Sequence, residues 1–156
     1  MRSGIVFICG AGPGDPKLMS VRAMELLKSC NLVLYDRLVS KEIIDQISIK
    51  SEKIDVGRGI GESSTRQDYT NKLMVKYAKR GKRVLRLKGG DPFIFGRGAE
   101  EAEYLSKHNV KFEIIPGITS AMGSAAYAGI PLTHRRFASS VIVVTGHEDP
   151  KKKNLW

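Results

Sequence analysis

Leu85 to Gly98 reads LRLKGGDPFIFGRG, a strand joined to a helix by a segment that turn chemistry alone does not explain. Val84, Leu85 and Leu87 form an apolar run bounded by Gly81 and Arg83, the pattern of a buried strand. Gly89 and Gly90 carry no Cβ, so backbone there can approach a ligand closely. Asp91 is a carboxylate stiffened by Pro92, whose ring fixes φ. Phe93, Ile94 and Phe95 are apolar without a helical period, where a polar loop is expected. Gly96 and Gly98 release the chain into a helix from about Ala99. Together these residues predict a pocket for a ligand with polar and flat apolar parts. A glycine-rich connector that binds nothing is the plainer alternative, but it leaves the acid and the apolar triplet unexplained.

Other strand ends carry similar loops. Ile5 to Cys9 is a first buried strand, followed by Gly10-Ala11-Gly12-Pro13-Gly14-Asp15-Pro16. The glycines allow a tight turn and the prolines stiffen it. A dinucleotide loop needs G-x-G-x-x-G; here the third glycine comes one residue early and Asp15 stands in its place. Ser20 caps a helix over 21–28, with Met24 and Leu27 on its inner face. Asn31 to Tyr35 is a second strand ending in Asp36-Arg37. An acid at the carboxyl end of a parallel strand faces the ligand crevice of an open α/β sheet. A capping Asp36, or one paired with Arg37, is the structural alternative.

A short helix over 41–47 leads to a weaker third strand, 53–56, and then to Gly57-Arg58-Gly59. Thr65 or Ser64 caps a helix over 67–80, with Leu73, Met74, Tyr77 and Tyr69 as its apolar face and Gly81 as its stop. The helix after the glycine loop runs to His108, a solvated helix-end histidine. Phe112 to Ile115 is a fifth strand, closed by Pro116-Gly117. Thr119 or Ser120 starts a helix of small residues, able to pack closely on a sheet and to offer free N–H groups to a ligand. Residues 130–136 read as a linker, and Val141 to Thr145 as another buried strand. A buried parallel strand needs neighbours and a covering helix. The expectation is therefore one α/β domain over residues 1–130. Residues 131–156 are expected to be a linker and the first strand of an incomplete second domain.

Composition narrows the function classes. The 156 residues are 42% apolar and 27% charged, as in a globular domain, and no run is long enough to span a membrane. No secretory signal is read at the N-terminus. Cys9 and Cys30 have no metal-ligand spacing, so no metal site is expected, and both fit reduced core thiols in a cytoplasm. The formal charge of +10 draws anionic partners. No zinc spacing, RNA-binding signature or basic helix stripe points to nucleic acid. A small poly-carboxylate ligand satisfies the charge equally well.

Six segments occur in a familiar order: GAGPGDP (10–16), YDRLVS (35–40), RLKGGDPFIFGRG (86–98), PGIT (116–119), GIPLTHR (129–135) and VTGH (144–147). Together they resemble the uroporphyrinogen-III C-methyltransferases of the tetrapyrrole methylase superfamily, over nearly the whole chain. The resemblance implies a mostly parallel α/β sheet with helices on both faces, the first of two domains around a cleft, usually in a homodimer. It implies S-adenosyl-L-methionine as cofactor and S-adenosyl-L-homocysteine as product. The implied reaction methylates uroporphyrinogen III at C2 and C7 to give precorrin-2, for sirohaem and cobalamin. Carried over residue by residue, the implied cofactor contacts are Pro13, Gly89, Gly90, Asp91, Ile94, Thr119 and Ser120. The implied acid of the YDRLV motif is Asp36.

Two positions depart from the family pattern. Arg58 replaces the lysine assigned as a proton donor. Arginine stays protonated but grips carboxylates with two parallel hydrogen bonds, so a substrate-carboxylate role fits better. Ser63 stands where a histidine is frequent. Three rivals remain: a methylase of another corrin precursor, a nicotinamide-binding oxidoreductase built on Gly10–Gly14 and Asp36, and a basic nucleic-acid-binding domain.

Overall fold

The computed structural model describes residues 4–57 and 65–146. Five strands form one sheet: β1 (Ile5–Gly10), β2 (Leu32–Tyr35), β3 (Glu52–Asp55), β4 (Arg83–Lys88) and β5 (Lys111–Ile115). Their order is β3-β2-β4-β1-β5 and every neighbouring pair is parallel. Parallel strands need crossovers, and helices supply them. These are α1 (Val21–Ser29), α2 (Lys41–Ile44), α3 (Thr65–Lys79) and α4 (Gly98–Lys107).

The direction of travel decides which face each helix covers. From β1 to β3 the chain moves one way along the sheet; from β3 to β5 it moves the other way. Crossovers of one hand then put α1 and α2 on one face and α3 and α4 on the opposite face. The core divides accordingly. Phe7, Cys9, Val33, Leu85 and Leu87 pack with Leu26, Leu27 and Ile43. Val6, Ile8, Leu32, Leu34 and Val84 pack with Leu73, Met74 and Leu105. Each fully buried Leu or Ile contributes roughly 1.5–3 kcal/mol.

Local chemistry sets the element ends. Ser20 Oγ accepts the Ala23 N–H at 3.2 Å and caps α1. Gly81, at φ +80°, ends α3. On α1, Leu27 is buried and Met24 packs partly buried against the same core, as expected, and Leu26 joins them. Several expectations need correction. The helix expected over 41–47 stops at Ile44. Tyr69 of α3 is 54% exposed, so it is not part of the inner face. The small-residue helix α5 (Ser120–Tyr127) packs against the β1 loop, with Gly123 set so that a Cβ would lie 3.0 Å from Pro13, and not against the sheet. Val141–Thr145 forms no strand: Ile142 and Val144 are 85% and 79% exposed, and among the described residues no strand lies beside them. Both cysteines are buried free thiols.

Candidate functional site

The loops after β1, β2, β4 and β5 gather at the carboxyl edge of the sheet. There they enclose a cavity of about 740 Å³, the usual place and size for a ligand in an open α/β sheet. Pro13, Asp36, Gly89, Gly90, Asp91, Ile94, Thr119 and Ser120 all line it. Arg37, Leu38, Lys88, Phe95, Arg97 and Val143 add to the wall. Arg58 lies outside the described residues, as do Ser63 and His147. His108 lies away from this edge, stacked on Tyr104 at 4.2 Å.

Backbone contacts between loops shape the cavity. Gly12 and Gly90 exchange two hydrogen bonds, at 3.1 and 2.8 Å, and so join the β1 and β4 loops. A Cβ on Gly10 would lie 2.5 Å from the Gly90 carbonyl oxygen and 2.8 Å from Gly117. Gly90 sits at φ +64°, where side chains are strained. A Cβ on Gly89 would strike Leu38 at 2.8 Å. The glycines read from the sequence as room for a ligand are thus first required by loop meeting loop. Ser40 Oγ donates to the Gly14 carbonyl at 2.6 Å, tying the β1 and β2 loops. Asp15 caps the turn that follows by accepting the Lys17 N–H at 2.8 Å, and it also accepts the Tyr127 hydroxyl at 3.2 Å.

Asp91 is more occupied than its sequence context suggests. Its Oδ1 accepts the Phe93 N–H at 2.8 Å and its Oδ2 accepts the Gly117 N–H at 3.0 Å. The loop it heads is strained: Phe95 and Arg97 adopt φ of +51° and +58°. The Gly98 N–H closes this loop onto the Pro92 carbonyl at 2.9 Å. The apolar triplet stays outside the core, and Ile94 and Phe95 turn towards the cavity.

Below the cavity lies a buried charge cluster. Arg86 and Lys88 alternate with Leu85 and Leu87 along β4, so they face α3 and α4. Arg86 reaches Asp36 at 2.7 Å and Glu101 at 2.9 Å. Lys88 lies 3.2 Å from Glu101 and 3.6 Å from Asp36. Asp36 is therefore salt-bridged, to Arg86 and Lys88, and the pairing with Arg37 does not occur. Burial, then repulsion from Arg86, pulls the Lys88 amine below its ordinary range, against the pull of Glu101 and Asp36. Burial also disfavours the Arg86 charge, but Glu101 and Asp36 outweigh it and hold that group above its ordinary range. The sequence reading missed Lys88, Arg86 and Glu101. The available signal was two cations at alternate positions inside an apolar strand.

The donor set fits a ligand with hydroxyl, amino and flat apolar parts. The wall offers the Asp36 and Asp91 carboxylates, the first N–H groups of α5 and the side chains of Ile94 and Phe95. Among the described residues, no group of His, Cys, Asp and Glu could hold a metal ion. No helix of the described residues is long and apolar enough to cross a membrane.

Proteins of similar sequence and fold are known. A siroheme synthase of Pseudomonas putida is 53% identical over 154 residues, which is 99% of this chain and 33% of that protein. The chain thus spans about a third of the length of the curated relatives it matches. Two structures of the uroporphyrin-III C-methyltransferase of Thermus thermophilus superpose with TM-scores of 0.76 and 0.71, at 39% and 41% identity. Each match covers 86% of this chain and 56% or 52% of theirs, and the second structure is complexed with S-adenyl homocysteine. A cobalt precorrin-4 methyltransferase superposes with a TM-score of 0.77 at 33% identity, over 88% of this chain and 56% of that one. The model of the tetrapyrrole (corrin/porphyrin) methylases matches residues 5–156, and the chain belongs to that family.

Proposed function

We propose that these residues form the cofactor-binding part of an S-adenosyl-L-methionine-dependent C-methyltransferase. Its substrate is uroporphyrinogen III, methylated at C2 and C7 to give precorrin-2 on the way to sirohaem and cobalamin. The observation that carries this reading is convergence. Eight residues from four separate segments of the sequence, at the ends of β1, β2, β4 and β5, line one cavity. Pro13, Gly89, Gly90, Asp91, Ile94, Thr119 and Ser120 bind the cofactor, and Asp36 faces the substrate. The homologous structure with S-adenyl homocysteine supports the choice of cofactor.

When bound, S-adenosylmethionine supplies a methyl group on a sulfonium. The chain's own contribution is placement. Reacting groups held in line can gain up to roughly 7–11 kcal/mol from orientation alone. Ile94 and Phe95 exclude water from one wall, while the loop ties at Gly12–Gly90 and Asp91–Gly117 keep the walls rigid. Arg58 grips a substrate carboxylate, as its fixed charge and forked donors suit. The net charge of +10 favours so anionic a substrate.

Residues 131–156 are proposed as the linker and opening segment of a second domain that closes the cleft, with Val141–Thr145 becoming a strand only once that domain supplies its partners. The exposure of Phe137, Ile142 and Val144 supports this. The working form is proposed as a cytoplasmic homodimer, on the family resemblance and the free buried cysteines. Calorimetry on the full-length protein tests the cofactor: S-adenosylhomocysteine should bind and NAD should not. A methyl-transfer assay with uroporphyrinogen III tests the reaction. Transfer only to a later corrin precursor would replace the substrate and keep the cofactor site.

A further inference from the structure

Glu101 of α4 is fully buried beneath the cavity and does not touch it. Its Oε1 accepts from three donors: Arg86 Nε at 2.9 Å, Gln67 Nε2 at 3.0 Å and Lys88 Nζ at 3.2 Å. Its Oε2 has no hydrogen-bond partner among the described residues. Stability alone gives weak reason for this placement, since well-packed apolar residues commonly replace buried ion pairs without loss. The cluster has a direction instead. Arg86 Nη2 meets Asp36 Oδ1 at 2.7 Å, and Lys88 Nζ lies 3.6 Å from Asp36 Oδ2. Asp36, with its side chain 25% exposed, is the acid that opens to the cavity.

We infer that Glu101 is a positioning residue: it anchors Arg86 and Lys88 from behind, and they fix the Asp36 carboxylate at the cavity floor. The anchoring stands apart from the proposed reaction; only the consequence for catalysis rests on that reading. Among the described residues, the charged groups facing Lys88 are Asp36 from the loop after β2, Arg86 from β4 and Glu101 from α4. Gln67 of α3, backed by Asn71 at 3.3 Å, completes the shell without charge. Glu101 is the nearer of the two acids to Lys88. Neutralising it leaves Lys88 facing burial and Arg86 with Asp36 alone in opposition. Lys88 then releases its proton at lower pH, and Asp36 loses one of its two anchors.

The test is Glu101→Gln in the full-length protein, with two readouts. First, the Lys88 Cε carbon is followed by NMR across pH, its signal assigned by its loss in Lys88→Arg. Its midpoint is expected to fall by about one pH unit or more relative to wild type. An unmoved midpoint overturns the inference. If Glu101→Gln does not fold, Glu101→Asp is titrated in its place; the charge is kept but drawn back, and an unmoved midpoint is again fatal. Second, turnover is expected to fall about tenfold with S-adenosylhomocysteine affinity nearly kept, and the alkaline limb of the rate profile to move to lower pH. Turnover and affinity falling together by one factor would show a merely structural residue. A wild-type protein that transfers no methyl to uroporphyrinogen III would overturn the proposed reaction, while the Lys88 titration still decides the anchoring.

Discussion

The carboxylate of Asp91 accepts the backbone N–H of Gly117 at 3.0 Å, across the cavity edge from the β4 loop to the β5 loop. Its second oxygen holds the Phe93 N–H. The acid therefore shapes the wall it belongs to. Asp91→Ala should weaken S-adenosylhomocysteine binding more than about tenfold, or about 1.4 kcal/mol, by freeing both loops as well as removing an acceptor. Calorimetry on the full-length protein checks this. Unchanged affinity would remove Asp91 from the site.

Gly10→Ala should act through backbone. The new Cβ would lie 2.5 Å from the Gly90 carbonyl, so the β1 and β4 loops must part. A loss of about 1–3 kcal/mol is expected, as for other overpacked sites. Urea unfolding measures it. An unchanged midpoint would mean that the loops yield without cost.

Cys9 links stability to pH. Burial first, then Cys30 and Glu113, pushes its thiol from 9.0 up to about 12. The folded value lies above the unfolded one, so the neutral thiol's contribution is complete below pH 9.0 and is lost as pH rises towards 12. The unfolding free energy should fall in that window by at most about 1.4 kcal/mol per pH unit from this group. Cys9→Ala should flatten that part of the slope. Superimposable pH dependence in the two proteins would contradict the assignment.

Arg58→Lys tests the departure from the family pattern. If Arg58 grips a substrate carboxylate, KM should rise more than turnover falls, because the forked contact is lost. A large gain in turnover would instead identify a restored proton donor.

Residues 1–156 alone should transfer no measurable methyl to uroporphyrinogen III. Beyond α5 the cavity wall is supplied by Val143, on a stretch beside which no strand lies among the described residues. Assay of the purified chain beside a full-length form decides the point; comparable turnover would make a second domain dispensable.

The alternation of strands and helices was legible because β1, β2 and β4 each carry an apolar run flanked by glycine or a charge, and Ser20 and Gly81 mark helix ends. The strand ends were legible too, and they carry the cavity. The buried ion cluster was not, because Glu101 and Gln67 look like surface residues until α3 and α4 are laid on β4. Asp91 was read as a free ligand group, since a contact with Gly117 depends on β4 and β5 flanking β1. Val141–Thr145 has a strand's composition, but composition supplies no partner edge.

The pairing of β1 bears on how the chain is made. Ile5 pairs with Arg83 on one side and with Lys111 on the other, and nothing nearer in sequence borders this strand. During synthesis β1 emerges before both of its partners and must wait for them. Meanwhile β2 and β3, joined by a short helix, can pair at once. Non-local pairing of this kind slows folding, and an unpaired apolar strand invites association between nascent chains. Val6, Phe7 and Ile8, buried in the finished sheet but made well before either neighbouring strand, are therefore where a holding chaperone is expected to act.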